Sequence, residues 1–394
     1  MTASAAGEGE RLLQGLLADM HASTPGGLPA LVNAYGERLG MRRVQIRLVD
    51  LQQKQLTLLA SESRMPVDGS PAGSTYRSRA LRLETGEDGC LVVWLPLVDG
   101  AERLGVVGIE VESLDSTLLA RCGALAAVLS MAITSKRAVS DRFVQQARTD
   151  TMTLPSEMLR AVLPPRTIGE ARAISTAVLE PAYELGGDAF DHSLGDSVLH
   201  AVILDAMGHN LSSGLTTAIA MAGCRSARRA GSGLRELVGT VDEALAEWLP
   251  EQFCTGIVMR LDLPGGVLSW VNCGHPPPLL IRDDQVLKDA LAFPGEPPMG
   301  TPGALTALSR TVHQARLQPG DRVILYTDGV TEARSPGGPQ FGLAGFTTSI
   351  IRATAAGELA AEALRQLMHS LLQRQDGRLD DDATILMIEW RGPH

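Results

Sequence analysis

Asp188, Asp205, Asp328 and Asp381 are the residues of this chain whose type and placement could do chemistry together. Each lies at the edge of an apolar, strand-like run beside small or turn-forming residues. The contexts are YELGGDAFD (183–191), HAVILDAMGHN (200–210), RVILYTDGVTEA (322–333) and LDDDATILMI (379–388). Strand ends hold side chains rigidly. Carboxylates converging from four strand ends make an oxygen-only cage for a hard divalent cation, Mg²⁺ or Mn²⁺. Without a metal, like charges brought that close repel. The chemistry such a cage serves is metal-assisted attack of water on a phosphate ester. Singly, an aspartate before glycine at a strand end is a turn former. The ordered set GGDxxD, DxMGH, YTDGVTEA and DDAT is far more specific than any one of its members.

The second half supplies the elements that must position these residues. Alternating or continuous apolar runs predict strands over 172–183, 198–207, 253–263, 266–275, 277–282, 312–329 and 383–390. Helical spacing predicts helices over 212–229, 233–249 and 358–374, with Gly231-Ser232-Gly233 separating the first two. Many strands with two groups of helices predict two β-sheets packed as a sandwich and flanked by helices.

The first half reads differently. Leu12, Leu13, Leu16, Leu17 and Met20 repeat at helical spacing, as do Leu28, Leu31, Val32, Tyr35 and Leu39 beyond the Pro25-Gly26-Gly27 break. Strands follow over 44–50 and 56–63. Two more, over 91–100 and 102–113, flank Asp99-Gly100, a hairpin signal. Residues 117–139 are again helical. This is a small α+β domain over 1–135, and the run LPLVDGAERLGVVGIEVES (95–113) resembles a GAF domain. That resemblance implies a sensor that binds a small molecule, or a dimerising or degenerate module. Residues 136–165 read as a connecting helix interrupted near Pro155. Pairing with a twin in a homodimer and a plain linker both fit it.

Composition narrows the function classes. With 394 residues, two domains are expected. Residues 1–150 carry 16 basic and 17 acidic side chains, residues 151–394 carry 19 and 28. An acidic second half argues against a nucleic-acid binder, which needs a basic face. The five cysteines are odd in number and form no CxxC pair. They read as reduced thiols in a cytoplasmic protein. The N-terminus lacks the apolar core of a signal peptide. The apolar stretch Leu118–Ile133 contains Arg121 and is expected to be too short to span a membrane.

The second half, over 166–394, resembles the metal-dependent protein phosphatases of the type 2C (PPM) superfamily, in the bacterial SpoIIE-like branch. The residues that carry the resemblance are EPAYELGGDAFD, ILDAMGH, NCGHPPPLLIR, LQPGDRVILYTDGVTEAR, QFGLAGF and LDDDATILMIEW. It implies an αββα sandwich with two metal ions. Asp205 would bridge them, helped by the backbone carbonyl of Ala206. Asp188 would ligate one directly or through water, and Asp328 and Asp381 would complete the cage. Asp191 and Asp382 would stand behind the ligands, orienting them or their waters. Gly186, Gly187 and Gly329 would let the backbone turn tightly beside the ions. A metal-held hydroxide, not a serine or cysteine, would be the nucleophile.

The resemblance also implies a phosphoprotein substrate, an anti-sigma-factor antagonist. One departure from the branch is Asn210, where a glycine is usual after the histidine. Asparagine tolerates the left-handed conformation, so altered turn geometry is expected. Other residues keep two readings. His209 could be a general acid or a structural partner at a helix start. His275 reads as a turn former. Arg225, Arg228 and Arg229 are a solvated helix end or a dock for an acidic partner. The rival to an enzyme is a signalling scaffold that keeps the fold with negligible catalysis. A Ca²⁺-stabilised domain finds no EF-hand loop in its favour.

Overall fold

The computed structural model describes residues 12, 14–86, 88–208, 210–301, 310–334, 340–375, 379 and 381–393. The chain divides into two compact units, residues 1–150 and 151–394.

The first unit contains α1 (residues 14–22), α2 (Leu28–Arg38), β1 (Arg43–Val49), β2 (Gln55–Leu58), β3 (Arg64–Pro66), α3 (Pro71–Ser78), β4 (Arg82–Thr85), β5 (Leu91–Asp99), β6 (Glu102–Val111), α4 (Ser116–Arg137) and α5 (Arg142–Ala147). Its strands form one antiparallel sheet in the order β3-β2-β1-β6-β5-β4. Alternation sorts the faces. Val44, Ile46 and Leu48 of β1 join Val93, Leu95 and Leu97 of β5 beneath α2 and α4. Val49, Trp94 and Val106 turn the other way and pack with Tyr76 of α3. The expected hairpin turns at Gly100, whose φ of +57° favours glycine.

Helix α4 fits the helix expected over 117–139. It runs for 22 residues, and an 18-residue window of it, at mean hydropathy 1.7, is long and apolar enough to cross a membrane by length and composition alone. Its fully buried Cys122, Leu125, Leu129 and Ile133 belong to the core of this unit. The connecting helix expected over 136–165, interrupted near Pro155, is broken after Arg137 and again after Ala147. Helix α4 ends at Arg137, α5 covers Arg142–Ala147, and the unit boundary follows Asp150.

The second unit begins with α6 (Leu154–Val162), β7 (Thr167–Gly169), β8 (Ala173–Glu180), β9 (Asp188–Leu194), β10 (Val198–Ala206), α7 (Leu211–Arg229) and α8 (Leu234–Trp248). It continues with β11 (Cys254–Asp262), β12 (Val267–Cys273), β13 (Leu279–Arg282), β14 (Gln285–Leu287), β15 (His313–Arg316), β16 (Arg322–Tyr326), α9 (Asp328–Glu332), α10 (Gly342–Ala355), α11 (Ala360–Arg374) and β17 (Ala383–Trp390). Helix α6, expected in the linker, belongs here. Leu159 is fully buried in the inter-sheet core. Thr153 N–H donates to the Tyr183 carbonyl (3.0 Å), and Arg160 Nε donates to the Ala182 carbonyl (2.7 Å).

Two antiparallel sheets face each other, β15-β12-β11-β10-β9 and β14-β13-β16-β17-β8-β7. Leu199, Ala201 and Ile203 of β10 meet Leu325 of β16 and Leu386 and Ile388 of β17 between them. The opposite parity packs outward. Val202, Leu204 and Ala206 lie with Met221 and Cys224 of α7 and Val241 of α8. Ile324, Ile385 and Met387 lie with Ile350 of α10 and Leu364 and Leu367 of α11. The result is the helix–sheet–sheet–helix sandwich. Each buried leucine or isoleucine contributes about 1.5–3 kcal/mol relative to exposure, so the layers make a stiff frame for residues at their edge.

Candidate metal centre

The carboxylates sit where the inter-sheet layer runs out. Asp205 continues the inward row of Leu199, Ala201 and Ile203 past its apolar end. Across the ladder it is in register with Asp188, the first residue of β9. Asp328 opens α9 immediately after β16, and Asp381 precedes β17. Strands β16 and β17 are paired neighbours, and their register brings both carboxylates to one end of the sheet.

Asp188 is 2% exposed, and its Oδ2 accepts hydrogen bonds from Thr327 and Thr384, both at 2.7 Å. Thr327 Oγ1 in turn accepts the Thr384 N–H at 2.9 Å. Burial, with Asp205 and Asp382 nearby, pushes the Asp188 carboxyl well above the ordinary range, against the pull of the two hydroxyls. Asp205 is half-buried and pushed up to about 7, by burial first and then by Asp328, Asp381 and Asp382. Every charged neighbour raising it is an aspartate. Its hydroxyl partner, Thr255 Oγ1, is at 3.5 Å. Burial, Asp381 and Glu332 raise Asp328. Asp381 is exposed, and its Oδ1 accepts the Asp382 N–H at 2.9 Å.

Asp382 is a backbone clamp. Its Oδ2 accepts the N–H groups of Gly186 and Gly187, each at 2.8 Å, and of Asp188 at 3.3 Å. The glycines have steric reasons. A Cβ at Gly187 would stand 2.1 Å from the Ala206 carbonyl oxygen, and one at Gly329 would stand 2.0 Å from that of Asp382. The Ala206 carbonyl is thus pressed against the turn that carries Asp188.

Asp191 is elsewhere. It is 1% exposed and taken by Arg225 (2.6 Å) and Arg228 (2.7 Å) of α7. It lies three positions after Asp188, an odd offset, so strand alternation turns it to the opposite face. It ties β9 to α7 and does not stand behind the cage. The same pairs absorb two of the three arginines expected as a solvated end or a dock.

Asn210 is corrected as well. Its φ is −108°, and its side chain caps α7 by accepting from Ser212 N (2.8 Å) and Ser213 N (3.1 Å). The positive φ of this turn, +90°, belongs to Gly208. His209 lies outside the described residues. His275 is 4% exposed, and its backbone is held by Asn272 Oδ1 (2.8 Å) and Nδ2 (2.9 Å). Its Nδ1 meets Thr255 Oγ1 at 3.0 Å, which links it to Asp205. Burial lowers its pKa to about 4, opposed by the nearby backbone of Tyr326, and among the described residues Nε2 has no hydrogen-bond partner.

Thr255, Thr327 and Thr384 were not singled out from sequence. Thr327 and Thr384 lie inside the YTDGVTEA and DDAT motifs and Thr255 on β11, but the aspartate that each meets is on another strand.

Among the described residues, no three His, Cys, Asp or Glu side chains are gathered tightly enough to hold an ion as they stand. The donor chemistry nevertheless fits a hard divalent cation: all the groups are oxygen donors, and uncompensated aspartates raise the Asp205 pKa. Ligation would draw them together.

Residues 195–391, half of the chain, match the sequence profile of the family described as stage II sporulation protein E (SpoIIE). The chain is similar to Protein IcfG of Synechocystis sp., 26% identical over 242 residues, covering 54% of this chain and 37% of that protein. It is also similar to the phosphoserine phosphatase RsbP of Bacillus subtilis, 28% identical over 155 residues, covering 38% of this chain and 37% of that one. The chain therefore spans a little over a third of the length of these relatives. Among solved structures, the SiaA PP2C domain of Pseudomonas aeruginosa has a TM-score of 0.50 at 22% identity. It covers 60% of this chain and 94% of that one, a likeness of fold.

Proposed function

Since the chain belongs to the SpoIIE family, we propose that residues 151–394 are a Mn²⁺- or Mg²⁺-dependent protein serine/threonine phosphatase. The observation that carries this reading is geometric: Asp188 and Asp205 stand in register on β9 and β10, Asp328 and Asp381 lie at one end of the facing sheet, and burial and the neighbouring aspartates raise the Asp205 carboxyl. Such an arrangement is costly unless a cation is taken up.

Asp205, the Ala206 carbonyl, Asp328 and Asp381 would hold two ions, with Asp188 reached directly or through water. When bound, such ions acidify a water molecule and neutralise phosphoryl oxygens. The chain's own residues do the rest. Thr327 and Thr384 orient Asp188. Asp382 fixes the Gly186–Asp188 turn. Thr255 links Asp205 to His275, which burial keeps neutral. The buried cysteines supply no nucleophile, because burial raises the thiols of Cys224 and Cys273 to about 12.

The substrate in this reading is a phosphorylated anti-sigma-factor antagonist, met in the cytoplasm. It is supported by the similarity to RsbP, described as a phosphoserine phosphatase. The N-terminal unit is read as a GAF-like sensor, open to a small-molecule ligand and to pairing as a homodimer, that regulates the second unit. A scaffold reading draws on the open spacing of the carboxylates. Phosphate release from p-nitrophenyl phosphate with Mn²⁺ separates the two. Turnover that EDTA abolishes and Mn²⁺ restores supports the enzyme, and none at any Mn²⁺ concentration supports the scaffold.

A further inference from the structure

Helix α7 carries two fully buried threonines side by side, Thr216 and Thr217. Their hydroxyls do different things. Thr216 Oγ1 donates to the Ser212 carbonyl one turn back (2.9 Å), a local bond common for threonines within helices. Thr217 Oγ1 leaves the helix and donates to the Gly187 carbonyl, in the turn that carries Asp188.

Four elements meet at Gly187. Its carbonyl also accepts the Ala206 N–H at 3.1 Å. Its own N–H donates to Asp382 Oδ2 at 2.8 Å. Its Cα is pressed against the Ala206 carbonyl, which a Cβ would meet at 2.1 Å. The turn has no slack, so displacing Gly187 displaces Asp188 and the Ala206 carbonyl with it. Asp188 is in register with Asp205, so the spacing of all three groups passes through this one peptide.

We propose that Thr217 is a positioning residue for the metal centre. By holding the Gly187 carbonyl, it lets α7 set the spacing of Asp188, Asp205 and the Ala206 carbonyl, and with it the affinity for a divalent cation. This rests on the metal-centre reading above. Thr217→Val keeps the shape of the side chain and removes its donor. The Gly187 carbonyl keeps the Ala206 N–H, so the turn loosens without leaving a bare buried acceptor.

The test uses the full chain and inorganic Mn²⁺. Binding is read by isothermal titration calorimetry, alongside the Mn²⁺ midpoint for p-nitrophenyl phosphate hydrolysis and the metal-free melting temperature. Thr217→Val should bind Mn²⁺ at least about tenfold more weakly, the scale on which lost support behind a ligand is felt. Most of its lost turnover should return as Mn²⁺ is raised. Thr217→Ser should restore binding, and Thr216→Val should titrate like the parent.

The inference is overturned if Thr217→Val binds like the parent, even with a lowered melting temperature. It is equally overturned if Thr216→Val weakens binding as much, or if Thr217→Ser restores nothing. Asp205→Asn separates the two levels. If it loses Mn²⁺ binding while Thr217→Val keeps it, the inference alone falls. If it binds like the parent, the metal-centre reading falls and takes the inference with it.

Discussion

Asp188 and Asp205 face each other in register on neighbouring strands, yet their surroundings differ. Two threonine hydroxyls at 2.7 Å hold Asp188 in a fully buried site. Asp205 lies half-open, with one hydroxyl at 3.5 Å and three other aspartates raising its pKa. The first is locked in place, and the second is the more open and more weakly held of the pair.

A pH signature follows for the metal-free protein. The folded Asp205 carboxyl titrates at about 7, against about 3.9 when unfolded. A raised pKa gives stability that is fully present below about 4 and lost as pH rises through 7. Asp205→Asn lacks this loss. Without metal, its melting temperature relative to the parent should therefore climb between pH 5 and pH 8. A difference that stays flat or falls over that range would contradict the raised carboxyl. With saturating Mn²⁺, the same variant should keep the fold by circular dichroism and lose phosphatase activity by orders of magnitude.

Asp381 and Asp382 should separate by the kind of damage they cause. Asp381 is exposed, so Asp381→Ala should leave the metal-free melting temperature near the parent's and weaken Mn²⁺ binding. Asp382 clamps three buried N–H groups. Asp382→Ala should destabilise the metal-free fold by at least about 2 kcal/mol in urea unfolding. Equal unfolding midpoints for the two variants would refute the clamp.

Thiol reagents should spare the activity. Cys122, Cys224, Cys254 and Cys273 are buried, and burial raises their thiols, to about 11 for Cys122 and about 12 for Cys224 and Cys273. Iodoacetamide at pH 7.5 should modify Cys90 before any other cysteine in peptide mass mapping, with turnover unchanged. Inactivation that tracks labelling of Cys254 would point to a thiol in the chemistry.

Regulation has its own assay. Helix α6 opens the second unit and holds the 182–185 backbone through Arg160 and Ser156. Thr153 caps it, so a shortened chain should begin at Thr151. Comparing its Mn²⁺ midpoint with that of the full chain should show a shift. Superimposable titrations would mean that the first unit does not regulate metal uptake.

The sequence made the site legible where chemistry and turn-forming residues coincided. All four strand-end aspartates could be found because each borders an apolar run beside small or turn-forming residues. The threonines behind them could not, because Thr327 and Thr384 meet Asp188 across sequence distances of 139 and 196 residues. Asp191 shows a different failure. The GGDxxD pattern groups it with Asp188, but an odd offset on a strand reverses the face, and parity alone would have sent it toward α7. Asn210 misled because its residue type suits both a left-handed turn and a helix cap. Helix α3 and strand β4 passed unseen, since residues 71–85 carry no sustained apolar period.

The Asp382 clamp also fixes a moment in the life of the chain. The turn at Gly186 is closed by a carboxylate 196 residues further on. While the protein is being synthesised, every other strand of the sandwich is made before that carboxylate and β17, which joins β16 to β8. Strands β8 and β9 will already have been made, and the peptide between them, already held by α6, Ala206 and Thr217, gains its Asp382 clamp only when β17 arrives. The turn that carries Asp188 is therefore completed late in synthesis, by a residue that just precedes β17.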